Sequence, residues 1–196
     1  MNRSAVIFDL DGTLTKPYLD FDALRRELGV RGPILESMER MTVAARARAE
    51  AVLGRFEREG ADRAELHAGA LDVIGACRDR GHPVAILTRN ARPIVDRIVA
   101  ALGIVVDAIR TREDGAVKPS GRPVRALCNA LCADPARSWM VGDYLFDILA
   151  GERSGARTVL MIGDGPRPDF AERADFVITH LQQLPPIIAA ESSESY

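Results

Sequence analysis

Cysteine is scarce in this chain, and so are long apolar runs, charge of one sign and clustered histidine; each shortage removes a class of protein. Cys77, Cys128 and Cys132 are odd in number and lack zinc-like partners, which argues against a disulfide framework or a thiolate metal site. Cys128 and Cys132 fall four apart on an expected helix, so buried free thiols are expected instead. No apolar stretch approaches the roughly 20 residues of a membrane span, and the first residues lack the charged-then-apolar pattern of a secretion signal. The expectation is a cytoplasmic protein with no membrane partner. A formal net charge of −2 and no sustained basic stripe offer little to a nucleic acid. His67, His82 and His180 stand apart from one another, so no soft-metal ligand set is available, and no internal repeat is present.

What the chain does contain is a series of apolar, strand-like runs with polar residues at or shortly after their ends. Ser4-Ala5-Val6-Ile7-Phe8 runs into Asp9-Leu10-Asp11-Gly12-Thr13, a short buried strand that delivers two acids to its carboxyl end. Residues two apart on extended backbone point to one side, so Asp9 and Asp11 can face one ligand while Gly12 lets the chain turn away. Two carboxylates this close need a cation between them or a proton on one of them. Either remedy is chemically useful: an ionised acid can attack phosphorus, and a protonated one can supply the leaving oxygen with its proton. An Asx-type turn after an ordinary strand is the plainer reading of the tetrad taken alone.

Three further anchors weigh against that plainer reading. Pro83-Val84-Ala85-Ile86-Leu87 closes on Thr88-Arg89-Asn90, and Arg92-Pro93 opens a helix through Ala101. A hydroxyl between a strand end and a helix start suits an anion, although Thr88 could equally serve as a helix cap. Lys118 precedes Pro119 in a polar loop after Ala108-Ile109-Arg110-Thr111, where a lone lysine is ordinarily a solvated charge. Trp139-Met140-Val141-Gly142 runs into Asp143-Tyr144-Leu145-Phe146-Asp147, placing two acids four residues apart where a strand gives way to a helix. Strand-end anchors separated by helical segments imply an α/β fold, a doubly wound parallel sheet that binds its ligand beyond the carboxyl ends of the strands. The donors are hard oxygens, which suit Mg²⁺. A calcium loop fits poorly, because Gly12 stands fourth from Asp9 and a strand precedes it. A receiver domain would need no helical insertion.

Between the first two anchors the character changes. Phe21, Leu24 and Leu28 share a helical face between a cap at Asp20 and a stop at Gly29. Thr42 is placed to cap a longer helix through Glu59, with Val43, Ala47, Leu53 and Phe56 as its buried positions and Gly60 at its end. Pro33 to Arg40 suggests a short third helix. The arginines and glutamates here, Glu36 and Glu57 among them, alternate in a way that reads as a solvated, ion-paired surface. Arg157-Thr158-Val159-Leu160-Met161 and Asp175-Phe176-Val177-Ile178 read as closing strands. The division expected is a core of residues 1–17 and 68–190, a helical lid of 18–67, and a frayed tail of 191–196.

In order and in residue type, Asp9-Leu10-Asp11-Gly12-Thr13-Leu14, Thr88, Lys118-Pro119 and Gly142-Asp143-Tyr144-Leu145-Phe146-Asp147 resemble the four motifs of the haloacid dehalogenase-like hydrolases, in particular the phosphoglycolate-phosphatase-like branch with a small helical C1 cap. The resemblance implies a Rossmann-like core. It makes Asp9 the nucleophile, Asp11 the general acid, and Thr88 and Lys118 the phosphoryl ligands, with Arg89 and Asn90 beside the substrate. Asp9, Asp11 (through its backbone carbonyl) and Asp143 would hold Mg²⁺, with Asp147 in support and Gly12 and Gly142 shaping the turns. Two departures stand out. Tyr144 replaces a small residue after the glycine-aspartate pair, and Arg89 intervenes before Asn90. An arginine there could touch a substrate anion or, as is commoner at a helix start, face solvent. The expected activity is hydrolysis of a small phosphorylated metabolite, phosphoglycolate or a sugar phosphate, by a monomer or homodimer. A phosphomutase of the beta-phosphoglucomutase type and a non-catalytic phosphate-binding module stay open.

Overall fold

The computed structural model describes residues 3–193. Six short strands, β1 (Val6–Phe8), β2 (Val84–Leu87), β3 (Ala108–Arg110), β4 (Trp139–Gly142), β5 (Arg157–Met161) and β6 (Phe176–Ile178), form one sheet. Its order is β3-β2-β1-β4-β5-β6 and every pairing is parallel. The sequence-based fold class holds: the chain builds β1, β2 and β3 toward one edge, then crosses back to lay β4, β5 and β6 on the other side of β1. That reversal opens a crevice beside the carboxyl end of β1.

Alternation of side chains along the strands builds the two cores. Val6, Phe8, Val84, Ile86, Trp139 and Val141 bury on one face, against the helices α4 (Ala70–Asp79), α5 (Arg92–Ala101) and α8 (Leu184–Ser193). Ala5, Ile7, Ala85, Leu87 and Met140 bury on the other, against α6 (Arg122–Ala130) and α7 (Leu145–Ser154). With both faces covered, the central strands can be continuously apolar.

Three helices lie between β1 and α4: α1 (Phe21–Leu28), α2 (Ile34–Glu39) and α3 (Val43–Ala61). They pack around a small cluster of their own, built on Leu24, Ile34, Met38, Ala49 and Leu53. Asp20 caps α1 through its carboxylate and Gly29 ends it in a left-handed conformation, while Thr42 accepts from the Ala45 amide at the start of α3. The chain leaves and re-enters the core through adjacent segments, tied by the Lys16 amide to the Glu65 carbonyl at 2.8 Å and the His67 amide to the Leu14 carbonyl at 2.9 Å.

Several burial expectations fail here for one reason: the buried face of a helix is set by what it packs on. Val43 is 88% exposed and Ala47 is exposed, because the first turns of α3 overhang solvent. The face that packs runs instead through Ala49, Leu53, Glu57, Gly60 and Ala61, so the helix continues past Gly60 and carries an acid inward. Phe21 is half-exposed. Cys77 and Cys128 are buried free thiols, but Cys132 is exposed, since α6 ends at Ala130 and Cys132 falls in the turn beyond it. The chain end departs from the frayed tail as well. α8 runs through Ser193, with Glu191 paired to Arg157 at 2.9 Å; residues 194–196 of that tail lie outside the described residues. No helix among the described residues is long and apolar enough to cross a membrane.

Candidate active site

Register fixes where the anchors meet. Phe8 is paired with Ile86 on one side and Val141 on the other, so Asp9 emerges level with Leu87 and Gly142, and Thr88 and Asp143 follow one residue later on the flanking strands. Asp9, Thr88 and Asp143 face a cavity of about 500 Å³ beyond the carboxyl edge of the sheet, whose wall also includes Asp11, Lys118 and Asp147. Arg89 and Asn90 line it too.

Lys118 is the centre of the charge arrangement. Its ammonium, 2% exposed, sits 2.6 Å from Asp147 Oδ1 and 2.7 Å from Asp9 Oδ1. Burial works against its charge, but the two carboxylates hold the ammonium above the ordinary lysine range. The solvated-lysine reading is thereby excluded. Burial pushes the Asp147 carboxyl up to about 6, with Lys118 pulling the other way. Its remaining oxygen accepts the Tyr144 amide at 3.1 Å, so Asp147 closes the first turn of α7 as well as fixing the lysine. Asp143 does not share a helical face with it, because it precedes the helix. The two acids meet through the turn rather than through a four-residue helical spacing.

Asp9, Asp143 and Asp147 each offer a carboxylate oxygen within 4.8 Å of the others. Among the described residues only the Thr13 hydroxyl donates to Asp143, at 3.1 Å, and burial together with Asp9 and Asp147 raises its affinity for a proton well above the ordinary range despite the pull of Lys118. A hard divalent cation would relieve that crowding, and carboxylate oxygens are the donors Mg²⁺ takes. The carboxylate of Asp11 lies outside the trio. Burial lifts it to about 7 against the pull of the Tyr18 amide, with Asp9 adding to the rise. One oxygen accepts the Tyr18 amide at 2.9 Å, and the other is buried with no hydrogen-bond partner among the described residues. Near neutral pH this carboxyl can hold a proton two residues from the Asp9 carboxyl that Lys118 pairs.

Two glycines permit this crowding. A methyl group on Gly142 would lie 2.1 Å from Asp147 Cγ, and one on Gly12, whose φ is +85°, would lie 2.3 Å from Asp143 Oδ2. Thr88 does not cap a helix, since α5 begins at Arg92 behind Ala91; its hydroxyl instead accepts the Asn90 amide at 3.2 Å. The Asn90 side chain donates to the buried Tyr18 hydroxyl.

The outer part of the cavity holds two ion pairs that the sequence did not suggest, one of them on Arg89, which the resemblance puts beside the substrate. Arg89 does not face solvent. It is 18% exposed, bonds both oxygens of Glu36 on α2 at 2.7 and 2.9 Å, and lies 4.8 Å over the Phe146 ring. Arg112, in the turn after β3, grips Glu57 of α3 with both terminal nitrogens. Glu57 is 1% exposed, so this acid and Glu36 are structural ties between the helices and the core rather than members of a solvated surface. The signal for Glu57 was present in its spacing: it stands four residues after Leu53 and three before Gly60, on the stripe that packs.

The comparisons with known proteins agree with this geometry. A sequence profile of the haloacid dehalogenase-like hydrolases matches residues 4–155. A haloacid dehalogenase-like hydrolase domain-containing protein of Arabidopsis thaliana is 28% identical over 90% of this chain and 76% of its own length. The plasmid phosphoglycolate phosphatase of Cupriavidus necator is 26% identical over 94% and 93%. A solved hydrolase structure from Pseudomonas syringae superposes with a TM-score of 0.78, covering 95% of this chain and 99% of that one at 21% identity. With the profile spanning the sheet's first four strands and every anchor, the chain belongs to the haloacid dehalogenase-like hydrolase family.

Proposed function

We infer that this phosphatase hydrolyses a small phosphate monoester through a phosphoryl-aspartate on Asp9, with residues 18–67 acting as the cap over the site. The observation that carries the reading is the Lys118 ammonium bridging Asp9 and Asp147 beside an Asp143 whose hydrogen-bond donor among the described residues is the Thr13 hydroxyl. When bound by Asp9, Asp143 and the backbone carbonyl of Asp11, Mg²⁺ would supply positive charge toward the phosphoryl oxygens. The chain's own residues account for the rest. Thr88 and Lys118 orient the phosphoryl group and offset its charge. An Asp9 oxygen bonds to phosphorus as the bond to the leaving oxygen breaks, and that oxygen takes the proton carried by Asp11. In the second half Asp11, now a carboxylate, accepts a proton from water as the water oxygen bonds to phosphorus, releasing phosphate and Asp9. The buried Asp11 carboxyl supports the first half, because an acid held up to about 7 still carries its proton near neutrality.

A panel of phosphate esters assayed with and without Mg²⁺, alongside Asp9→Asn and Asp11→Asn, tests the reading. Phosphate release should vanish in Asp9→Asn and fall by at least about a hundredfold in Asp11→Asn, the lower bound of a general acid's contribution. Release that survives Asp9→Asn would end the covalent scheme, and an isomerised product without free phosphate would redirect it to a mutase.

A further inference from the structure

Beyond the acids, the cavity wall is made from an unusual balance of charges. Three arginines line it, Arg25, Arg89 and Arg112, and each is already matched to a carboxylate: Arg25 to Asp22 at 2.7 Å, Arg89 to Glu36, and Arg112 to Glu57. The fixed charge they add to this region therefore sums to about zero. Between them the wall is apolar, with Leu19, Phe21, Ile34, Leu53 and Phe146 facing the same space. Tyr144, half-exposed at the rim, packs edge-on against Phe146 at 5.2 Å and Phe170 at 6.0 Å, so aromatic surface continues from the mouth inward.

We propose that the leaving group is an uncharged alcohol with a flat or branched apolar body, and that the paired arginines make the site discriminate against a second anion. This rests on the phosphatase reading above. A second carboxylate or phosphate reaching Arg89 or Arg112 would have to win that arginine away from its glutamate, leaving part-buried Glu36 or fully buried Glu57 unpaired. An apolar body meets no such competition, since apolar walls with few placed polar groups are what bind uncharged ligands. The phosphoryl end is recognised by Lys118 and Thr88 at the sheet edge, and the outer region selects by the absence of free positive charge. A glycolate leaving group, with its carboxylate, fits this wall poorly, in contrast to the phosphoglycolate phosphatase that the chain resembles.

The test is an isosteric pair that differs only in charge, 4-carbamoylbenzyl phosphate and 4-carboxybenzyl phosphate, assayed with the full chain and Mg²⁺. The matching benzylphosphonates, which are not hydrolysed, are titrated by calorimetry. The uncharged ester should have the higher kcat/KM by at least about tenfold, the uncharged phosphonate should bind more tightly in the same sense, and Glu36→Gln should narrow both ratios at least about threefold by freeing the Arg89 charge. Glu36 is on a surface helix, one-third exposed, so the variant should fold. Equal or better use of the carboxylated member, or ratios unmoved in Glu36→Gln, would overturn the proposal. Were neither of these esters nor any other phosphate ester of the panel hydrolysed, the phosphatase reading would fail by itself. The phosphonate ratio would then still decide this inference, supporting it if the uncharged member binds better and overturning it if neither binds.

Discussion

Gly142→Ala should damage this protein far more than its chemical modesty suggests. The added methyl would lie 2.1 Å from Cγ, 2.2 Å from Cβ and 2.4 Å from Oδ2 of Asp147, all far inside contact distance, and neither partner can yield easily. Asp147 is 1% exposed at the first turn of α7, held by the Tyr144 amide on one oxygen and Lys118 on the other. Expelling it leaves the buried Lys118 with Asp9 as its remaining carboxylate partner. Removing one partner of a buried ion pair costs about 3–5 kcal/mol, and for a chain of this size each kcal/mol moves the melting temperature by about 2–4 °C. The expected drop is therefore about 6–20 °C, together with loss of phosphatase activity. Thermal melts followed by far-UV circular dichroism read it directly, with Gly75→Ala as the control. Gly75 lies inside α4 and its added methyl meets nothing within 4 Å, so that variant should gain about 0.5–1 kcal/mol from helix propensity alone. If Gly142→Ala melted with the wild type, the Asp147–Lys118 pair would not be held as argued.

Asp11→Asn should raise the melting temperature of the metal-free protein at pH 8, since the folded state lifts this carboxyl to about 7 and so disfavours its ionised form. The sign follows from linkage: the penalty is complete above the folded value and disappears as pH falls toward the unfolded value near 4. The advantage of the variant should therefore close across that window in melts recorded from pH 8 to 4. Mg²⁺ should stabilise the wild type by mass action, about 2.7 kcal/mol at a hundredfold excess over Kd. Asp143→Asn should abolish the shift, which differential scanning fluorimetry with and without a chelator can follow. Glu57→Ala should cost up to about 3 kcal/mol in urea unfolding, because it takes from part-buried Arg112 its two-point partner and leaves it with Glu113 and the Arg89 carbonyl, and Arg112→Ala combined with it should cost clearly less than the sum of the two.

Short-range signals were sufficient for most of the sheet. Trp139–Gly142 and Arg157–Met161 are strands with the bounds their apolar runs suggest, and Arg92–Ala101 is a helix with proline at its start. Such elements are legible because local propensity and the global fold ask the same thing of them. Lys118 shows the opposite case. In isolation its loop gives no reason to bury an ammonium, and only the acids delivered by two other strands make that burial tolerable.

Residues in the outer cavity were illegible for a related reason. Glu36, Glu57, Arg89 and Arg112 are charged residues in polar stretches, and local sequence assigns such residues to solvent. What reverses the assignment is the packing of three helices over the carboxyl edge of the sheet, where an inward acid on α3 meets an arginine from the turn after β3 and an acid on α2 meets an arginine from the turn after β2. Both ties cross from the helices to the core, so both would have to break or stretch if the helices swung away. The same two pairs that cancel charge in the wall thus also set how firmly the wall is held. Loosening one by substitution should alter selectivity and closure together, whereas altering Phe21, half-exposed on the wall, should change only the fit of the leaving group.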